Sequence, residues 1–565
     1  MKTVQAVDYA VILAYMALML GIGYFSMRLN ASASDYFKGG NRIHWLAAGL
    51  SSFMSGFSAW TFTGAAGLAY QQGLVVVLLY VGNACTFLLG YFVFAARWRR
   101  ARISTVMEYL VDRFDERTRQ AFSWTTILFQ LFIGASTLYG LGLFIGPACG
   151  FPLSWTILGC GLVILGYCVV GGLWAVVITD FLQAAILLPF TLLMAALSLG
   201  KLGGLSGLVS ALPPEMTSLH LAPGYGWVYV VSWSVMTSVG YNTAAMAQRY
   251  FSVDDEGSAR KAALLCFSLF LVGAFVWFIP PLAMRVLHPD LTSLWPGLAN
   301  PHESSYALAA VTLLPNGLIG IMLAAMLSAT MSSVSGLLNL HSGIISRDIF
   351  PTLFPSRAGD AEKLTIGWVS TFGVGAAMIA LAMTMAARSA SVFSVMVTFN
   401  TVMSLAYGPP ALLGLVVERT PRWSGLLSFA VGLSVGCVGS FGLGWGLVTN
   451  VWVIVPVSSL IFLASGLPER GATPRRDELF SRLRTPIDVA VELAGSPDPT
   501  ARVFRFLSRA TAAVGVLSLC LVFVAPPGDR ATVLSYVAVT LVLAALLSLV
   551  RGARNVAAAE PARRS

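Results

Sequence analysis

Charge is scarce in this chain: 11% of its 565 residues are Asp, Glu, Lys or Arg, where a soluble globular protein carries about 25%. That shortage argues against a soluble enzyme and a disordered protein. Acidic side chains are the rarer sign, 25 against 35 basic, for a net charge of +10. A basic balance can signal nucleic acid, but here the basic residues are dispersed between apolar segments, so no nucleic-acid partner is expected. The five histidines, His44, His220, His288, His302 and His341, form no cluster. The seven cysteines, Cys85, Cys149, Cys160, Cys168, Cys266, Cys437 and Cys520, fall within or at the ends of apolar runs without metal-type spacing. They read as small packing residues, and a metal or haem centre has no support. No P-loop, G-x-S-x-G element or H-E-x-x-H stands in a usable context, which argues against an ATP-driven pump or a membrane hydrolase. Strand-like alternation is absent, so an outer-membrane barrel is not expected.

What the chain has in quantity is apolar length. It is 57% hydrophobic, with a mean hydropathy of +0.78. A helix that crosses a bilayer needs about 20 mostly apolar residues. Fifteen candidates follow: 8–28, 44–70, 73–97, 119–148, 152–170, 178–200, 226–249, 262–286, 304–346, 364–387, 389–418, 423–446, 448–467, 506–526 and 531–551. The ninth is too long for one crossing and is expected to begin as a short helix, break near Pro315, and then span. The first run is long and starts with Asp8 instead of a basic region, which does not suit a cleavable signal peptide.

The basic residues test this count. With the N-terminus outside, the cytoplasmic segments hold 30 of the 35 Lys and Arg. Only Lys2, Lys201, Arg285, Arg388 and Arg530 remain outside. Such a bias is what the positive-inside rule demands, and a wrong count in mid-chain would scramble it. The expectation is an all-α polytopic membrane protein with an outside N-terminus and a cytoplasmic C-terminus. The polar stretch 468–503 falls on the cytoplasmic side. It reads as a solvated linker, or as a basic segment resting on anionic lipid.

Polar groups inside the apolar runs carry the functional signal. Among the acids only Asp180 falls in an apolar setting, in GGLWAVVITDFLQ. An intramembrane acid is a functional candidate by default, although Asp180 could instead cap its helix after Gly171–Gly172. Two runs are dense in small and hydroxyl residues, AAGLSSFMSGFSAWTFTGAAGLAY from Ala47 and MLAAMLSATMSSVSGLLN from Met322. Close helix packing explains small residues on one face, but Ser332, Ser333 and Ser335 spread around the helix. Ser55-Gly56-Phe57-Ser58 sits mid-span, where a broken helix would free carbonyls. Hydroxyls plus free carbonyls make a neutral oxygen cage for a small hard cation, which suggests a cation-coupled transporter.

On these residues the chain resembles the sodium:solute symporter family. The resemblance runs from about 8 to 465 through DYFKGG (35–40), the second run, TVMEYLVDRF (105–114), GGLWAVVITDFLQ (171–183), AQRYF (247–251) and MLSATMSSVSGLLNLHSGIISRDIF (326–350). It implies a leucine-transporter-like 5+5 inverted repeat within about 15 transmembrane helices, the first helix of each repeat broken at mid-membrane. The division implied is 1–43 for an extra helix and cytoplasmic loop, 44–200 and 226–418 for the repeats, and 419–467 for two accessory helices. The linker 468–503, two C-terminal helices in 504–551 and a basic tail 552–565 follow.

The resemblance also implies a sodium site from the carbonyls of Met54, Phe57 and Ala329 and the hydroxyls of Ser332 and Ser333. A second sodium would use Asp180 and Ser335, with Gly336 standing where a hydroxyl would help. The solute cavity is expected to be lined by Ser58, Trp60, Thr61, Tyr80, Asn83, Gln130, Trp233, Thr237 and Asn400, with core packing the alternative for each aromatic. The polar patterns of the family's proline and sugar transporters are missing: Gly56 stands where the former carry Asp, and Thr61 and Tyr80 where the latter carry Gln and Glu. The implied solute is neutral, zwitterionic or a carboxylate.

The function implied is sodium-coupled symport of a small organic solute by alternating access, with no cofactor and no enzymatic activity. The partners are the solute, sodium and the lipid bilayer, and the protein is a monomer or weak oligomer, in a cell membrane of bacterial inner-membrane type. Two alternatives stand beside it: a sensor that keeps the transporter fold, and a proton-coupled symporter with Asp180 carrying the proton.

Overall fold

The computed structural model describes residues 4–27, 41–57, 59–103, 105–168, 173–217, 225–296, 298–354, 360–467, 474–493 and 500–559. The expected landmarks at 35–40 and Gly171–Gly172, and the cavity residue Ser58, lie outside them. Apart from an isolated bridge between Ile43 and Val253, the described residues form helices, turns and loops, in the order α1 (Ala6–Met27), α2 (Trp45–Gly56), α3 (Ala59–Phe62) and α4 (Gly64–Gln72). Then come α5 (Val75–Arg100), α6 (Val106–Arg113), α7 (Glu116–Cys149), α8 (Leu153–Cys168), α9 (Leu173–Leu202), α10 (Trp227–Asn242) and α11 (Ala244–Phe251). After α12 (Glu256–Leu287) come α13 (Ser305–Leu313), α14 (Leu318–Leu353), α15 (Asp360–Ala387), α16 (Val392–Leu413) and α17 (Ser424–Gly442). The last are α18 (Leu447–Ala464), α19 (Pro474–Arg484), α20 (Thr500–Val524) and α21 (Arg530–Ala559).

Among the described residues, eleven helices are long and apolar enough to cross a membrane. The expected spans at 8–28 and 152–170 contain shorter apolar helices, Ala6–Met19 and Leu153–Gly166. Those at 44–70 and 226–249 are interrupted. The outer surface is rich in large apolar side chains: Phe92, Trp155 and Phe523 are 69%, 70% and 84% exposed. The packed interior of α14, by contrast, is rich in Ala and Ser. This is the distribution of a protein solvated by lipid, where close contact between helices relies on small residues. Two cysteines read as packing residues, Cys85 and Cys520, face outward, whereas Cys266 is buried.

The interruptions have local causes. Helix α2 starts at His44, whose Nδ1 accepts the Leu46 amide at 3.2 Å. It stops at Phe57, whose backbone is extended (φ −119°, ψ 109°) and whose N–H turns back to the Met54 carbonyl. A second irregularity at Thr63 (ψ −82°) separates α3 from α4. Thr243 is extended between α10 and α11 (φ −122°, ψ −179°), so this break leaves only eight residues on its far side. The ninth run divides as expected: α13 ends at Leu313 and α14 begins after Gly317, which adopts a left-handed φ of +88°.

Among the described residues, three further acids besides Asp180 are buried, Asp8, Glu303 and Asp348, and the sequence reading missed them. Asp8 of α1 is 0% exposed. Its Oδ1 accepts the N–H groups of Gly317 at 2.5 Å and Gly320 at 2.8 Å, and its Oδ2 accepts the Asn316 side-chain amide at 3.1 Å. The carboxylate therefore caps α14 from another helix, where the orphan N–H groups and the helix dipole favour a negative charge. Gly320 is required for the approach: a Cβ there would stand 2.6 Å from the Asp8 carbonyl oxygen. Glu303 is 1% exposed and does the same for α16. It accepts from the Ser391 hydroxyl at 2.8 Å and the Val392 and Phe393 amides at 3.2 and 3.3 Å.

Within the stretch 468–503, expected as a solvated linker, Leu479, Phe480 and Leu483 of α19 are buried, and the helix lies against the ends of α5 and α6 and the loop that follows α16.

Candidate functional site

The break in the second span brings the two polar runs together. Helix α14 packs against α2, α3 and α9, and Ser51 of α2 and Ser332 of α14 meet on Asp180 although far apart in sequence. Met54, Phe57 and Ala329 are each 0% exposed. Ser333 donates its hydroxyl proton to the Ala329 carbonyl at 3.1 Å, and Ser332 donates to Asp180 Oδ1. Each serine proton is thus committed to an oxygen acceptor, so both hydroxyls offer only lone pairs to anything between them. A carbonyl oxygen has two lone pairs, so Met54, whose carbonyl accepts the Phe57 N–H, retains acceptor capacity, whereas Ala329 accepts its helical N–H as well as the Ser333 hydroxyl. The set of oxygens suits a cation and offers an anion nothing.

Asp180 stands at the junction of four helices. It lies eight residues into α9, so it is not the cap of that helix, which was the alternative. Its Oδ2 accepts from Ser51 of α2 at 2.6 Å and lies 3.7 Å from the Arg249 guanidinium of α11. Arg249 Nε also donates to Ser51 Oγ at 3.2 Å. A fully buried carboxylate is tolerable when a cation and hydrogen bonds accompany it, and here both do. Ser335 donates to the Ser332 carbonyl at 3.0 Å. It is one turn from the Asp180 contact, and no hydrogen bond joins it to Asp180 among the described residues. Around Gly336 the space is open, with nothing within 4 Å of where a Cβ would stand.

Of the expected solute residues, five meet directly. Trp60 stacks on Tyr80 (centroids 6.3 Å, planes 13° apart) and on Trp233 (5.9 Å, 15°). Tyr80 donates to the Thr61 hydroxyl at 3.0 Å, and Trp233 donates to Asn83 Oδ1 at 2.8 Å. Thr237 lies one turn beyond Trp233, its hydroxyl 3.3 Å from that of Thr86. Asn400 turns its amide back to the Met396 carbonyl at 3.1 Å. Gln130 is buried on α7, and its Oε1 has no partner among the described residues. No hydrogen bond joins Gln130 or Asn400 to the aromatic group among those residues.

Phe393 completes the aromatic group, stacked on Trp60 (6.0 Å, 18°) and Trp233 (6.1 Å, 7°). The sequence reading missed it, together with Ser51 and Arg249. Phe393 stands at the start of a helix among ordinary apolar residues and gives no signal of its own. Arg249 lay in plain view within AQRYF, but its partner is 69 positions away, beyond the reach of local pattern.

The profile of the sodium:solute symporter family matches residues 36–432. The chain is 28% identical over 478 residues to the sodium/glucose cotransporter 2 of Rattus norvegicus, covering 76% of this chain and 70% of that protein. It is 24% identical over 475 residues to the sodium/sialic acid symporter of Proteus mirabilis, covering 81% and 94% respectively. A solved Na⁺-coupled sialic acid symporter in a substrate-bound, outward-open state superposes with a TM-score of 0.69 at 22% identity, covering 83% of this chain and 99% of that one. That likeness shows a shared fold.

Proposed function

The chain belongs to the sodium:solute symporter family, and from that premise we propose where its coupling ion and solute bind. It is a multi-pass membrane protein that carries out sodium-coupled secondary active transport of a small solute. We assign the ion to the oxygens of Met54, Phe57, Ala329, Ser332 and Ser333. What supports this is the extended break of α2 at Phe57, the packing of α2 and α3 on α14, and two serines on α14 whose protons are both committed elsewhere. Sodium there tethers the broken second span to α14. A charge moving inward through 100 mV releases about 2.3 kcal/mol, roughly a fifty-fold accumulation of solute per ion at 25 °C.

The solute occupies the group around Trp60, Thr61, Tyr80, Asn83, Trp233 and Phe393, with Ser58, Gln130, Thr237 and Asn400 as further lining. Flat aromatic faces and neutral amides and hydroxyls suit a neutral or zwitterionic solute with an apolar face. Asp180 and Ser335 remain the residues for a second ion. The Arg249 contact favours another role for Asp180, that of holding the inner halves of both interrupted spans against α9 and α14. The same carboxylate is the group a proton-coupled cycle would use.

The wider architecture is proposed with it: fifteen crossings, an outside N-terminus, a cytoplasmic C-terminus and inverted repeats at 44–200 and 226–418. Accessory helices occupy 419–467 and 504–551, and the setting is a bacterial inner membrane. In support, residues assigned to the cytoplasm in 97–113, 253–256, 418–420 and 474–492 gather at one end. Purified protein in proteoliposomes tests the assignment. An inward sodium gradient should drive uptake of a solute found by screening amino acids, carboxylates, sugars and vitamins, and Ser332→Ala with Ser333→Ala should abolish the sodium stimulation while leaving folded protein. Unchanged sodium dependence rejects the site. Uptake driven by a pH gradient without sodium identifies the proton-coupled form.

A further inference from the structure

Residues 474–493 lie beyond the family-matched part of the chain, and their contacts divide into two groups. Toward the ends of α6 and α16, Arg482 pairs with Asp112 at 2.5 Å, Arg484 pairs with Glu418, and Arg476 donates to the Thr420 carbonyl at 3.4 Å. Phe480 lies under the Arg113 guanidinium, 5.6 Å from the ring centre. Arg113 is itself fixed by the carbonyls of Gly414 and Val417 at 2.9 and 2.8 Å.

Toward the ends of α5 and α12, Glu492 bridges Arg99 at 3.1 Å and Arg102 at 2.6 Å, and the Ile487 amide donates to Glu256 at 3.2 Å. Arg102 also donates to the carbonyls of Arg482 and Pro486, each at 3.2 Å. Arg99 is fully buried and holds the turn between α11 and α12 through the carbonyls of Val253 and Asp254, at 2.8 and 2.9 Å.

The backbone carries a mark of this arrangement. Arg102 adopts a left-handed φ of +55°, a conformation unfavourable for a side chain with a Cβ. Four contacts to the 482–492 segment hold it there.

We propose that residues 474–492 form a strap that positions the cytoplasmic ends of α5 and α12 against those of α6 and α16, and so holds the inner side of the transporter closed. The inference rests on the transport reading above. Alternating access requires the inner ends of the helices to separate. In the strapped arrangement the inner side is shut: Asp180 is 0% and Arg249 4% exposed, and Cys266 of α12 lies under α2 with its thiol 3.2 Å from the Gly49 carbonyl. Opening therefore means releasing either the Glu492 cluster or the Arg482–Arg484 cluster. Each exposed pair is weak alone, so the strap is releasable, and its effect comes from joining two groups of helices at once.

Cys266 supplies a readout that needs neither solute nor sodium. In the full chain with Cys266 as its only cysteine, in membranes open to the cytoplasmic side, Arg482→Asp or Glu492→Lys should speed thiol labelling of Cys266 by about threefold or more. The double variant Asp112→Arg with Arg482→Asp, which restores the pair with reversed charges, should return labelling to the parent rate. In transport assays the single variants should raise the half-saturating sodium concentration on the outer side, because the ion then has to draw the protein back from an inward-open population. Folded single variants with unchanged Cys266 labelling overturn the strap. So does a charge-swapped variant that labels as fast as the single variants. A parent protein that shows no sodium-driven uptake while its labelling responds as described refutes the transport reading and leaves the strap standing.

Discussion

At the scale of single residues, the candidate ion site separates groups that bind from groups that hold. Asp180 and Arg249 are buried together, and removing one partner leaves the other uncompensated, at a cost of about 3–5 kcal/mol. Asp180→Asn should therefore lower the melting temperature in detergent more than Asp180→Asn with Arg249→Gln does, although both lose the carboxylate. A second ion at Asp180 would reverse the emphasis: both variants would lose one sodium per cycle, measurable from the reversal potential of uptake. Gly336 offers the converse experiment. Nothing lies within 4 Å of its missing Cβ, so Gly336→Ser should fold normally, and a hydroxyl beside Ser332 and Ser335 should lower the half-saturating sodium concentration.

Much of this residue-level chemistry is legible from composition alone. Ser332 and Ser333 stand out because hydroxyls are conspicuous on an apolar helix, and Asp180 because a carboxylate there is costly. Their partners are not legible. Ser51 is one serine among several in its run, and Arg249 is one basic residue near the end of a span. Only the fold, by setting α2 and α11 beside α9, shows that they share a carboxylate.

At the scale of elements, two buried acids do work that no local pattern announces. Each caps a helix to which it does not belong, so the capping signal is absent from the sequence just before that helix. Glu303 sits in a turn outside the spans and holds the start of α16, and with it Phe393. Glu303→Ala should cost about 1–2 kcal/mol through the lost cap and lower solute affinity by loosening Phe393 against Trp60. Glu303→Gln should be milder. Burial pushes the Glu303 carboxyl above the ordinary glutamate value, and the hydrogen bonds from Ser391, Val392 and Phe393 pull it only partly back. A folded-state value above the unfolded one means the folded state takes up the proton first. The contribution is therefore full below the unfolded value and lost as pH rises through the folded one. Thermal unfolding across that window should show a melting temperature that declines with rising pH in the parent, and a flatter profile in Glu303→Gln.

The broken second span was legible, because Ser55-Gly56-Phe57-Ser58 is a poor stretch of helix in the middle of a long one. The packed state of 474–493 was not. Its three buried apolar side chains, Leu479, Phe480 and Leu483, are scattered among arginines that look solvated until Asp112, Glu418 and Glu492 are seen beside them.

For the molecule as a whole, lipid in place of water explains why the architecture could be read from the sequence. Apolar length marks the candidate spans, and the distribution of Lys and Arg gives the expectation for their order of sides. The exposed rings of Phe92, Trp155 and Phe523 and the small-residue interior of α14 are two faces of the same constraint. Contacts between distant spans are a different matter. They depend on which small residues face each other, and Gly320 against the Asp8 backbone shows how specific that can be.

That contact also sets an order of events during synthesis. Helix α1 emerges from the ribosome some 300 residues before the segment it caps, so Asp8 has to wait in the bilayer without its partners. Helix α14 in turn cannot seat its first turn until α1 is found. Insertion should therefore stall at a late, identifiable stage in Asp8→Ala, with α14 sensitive to proteolysis in newly made chains although every hydrophobic segment has been integrated.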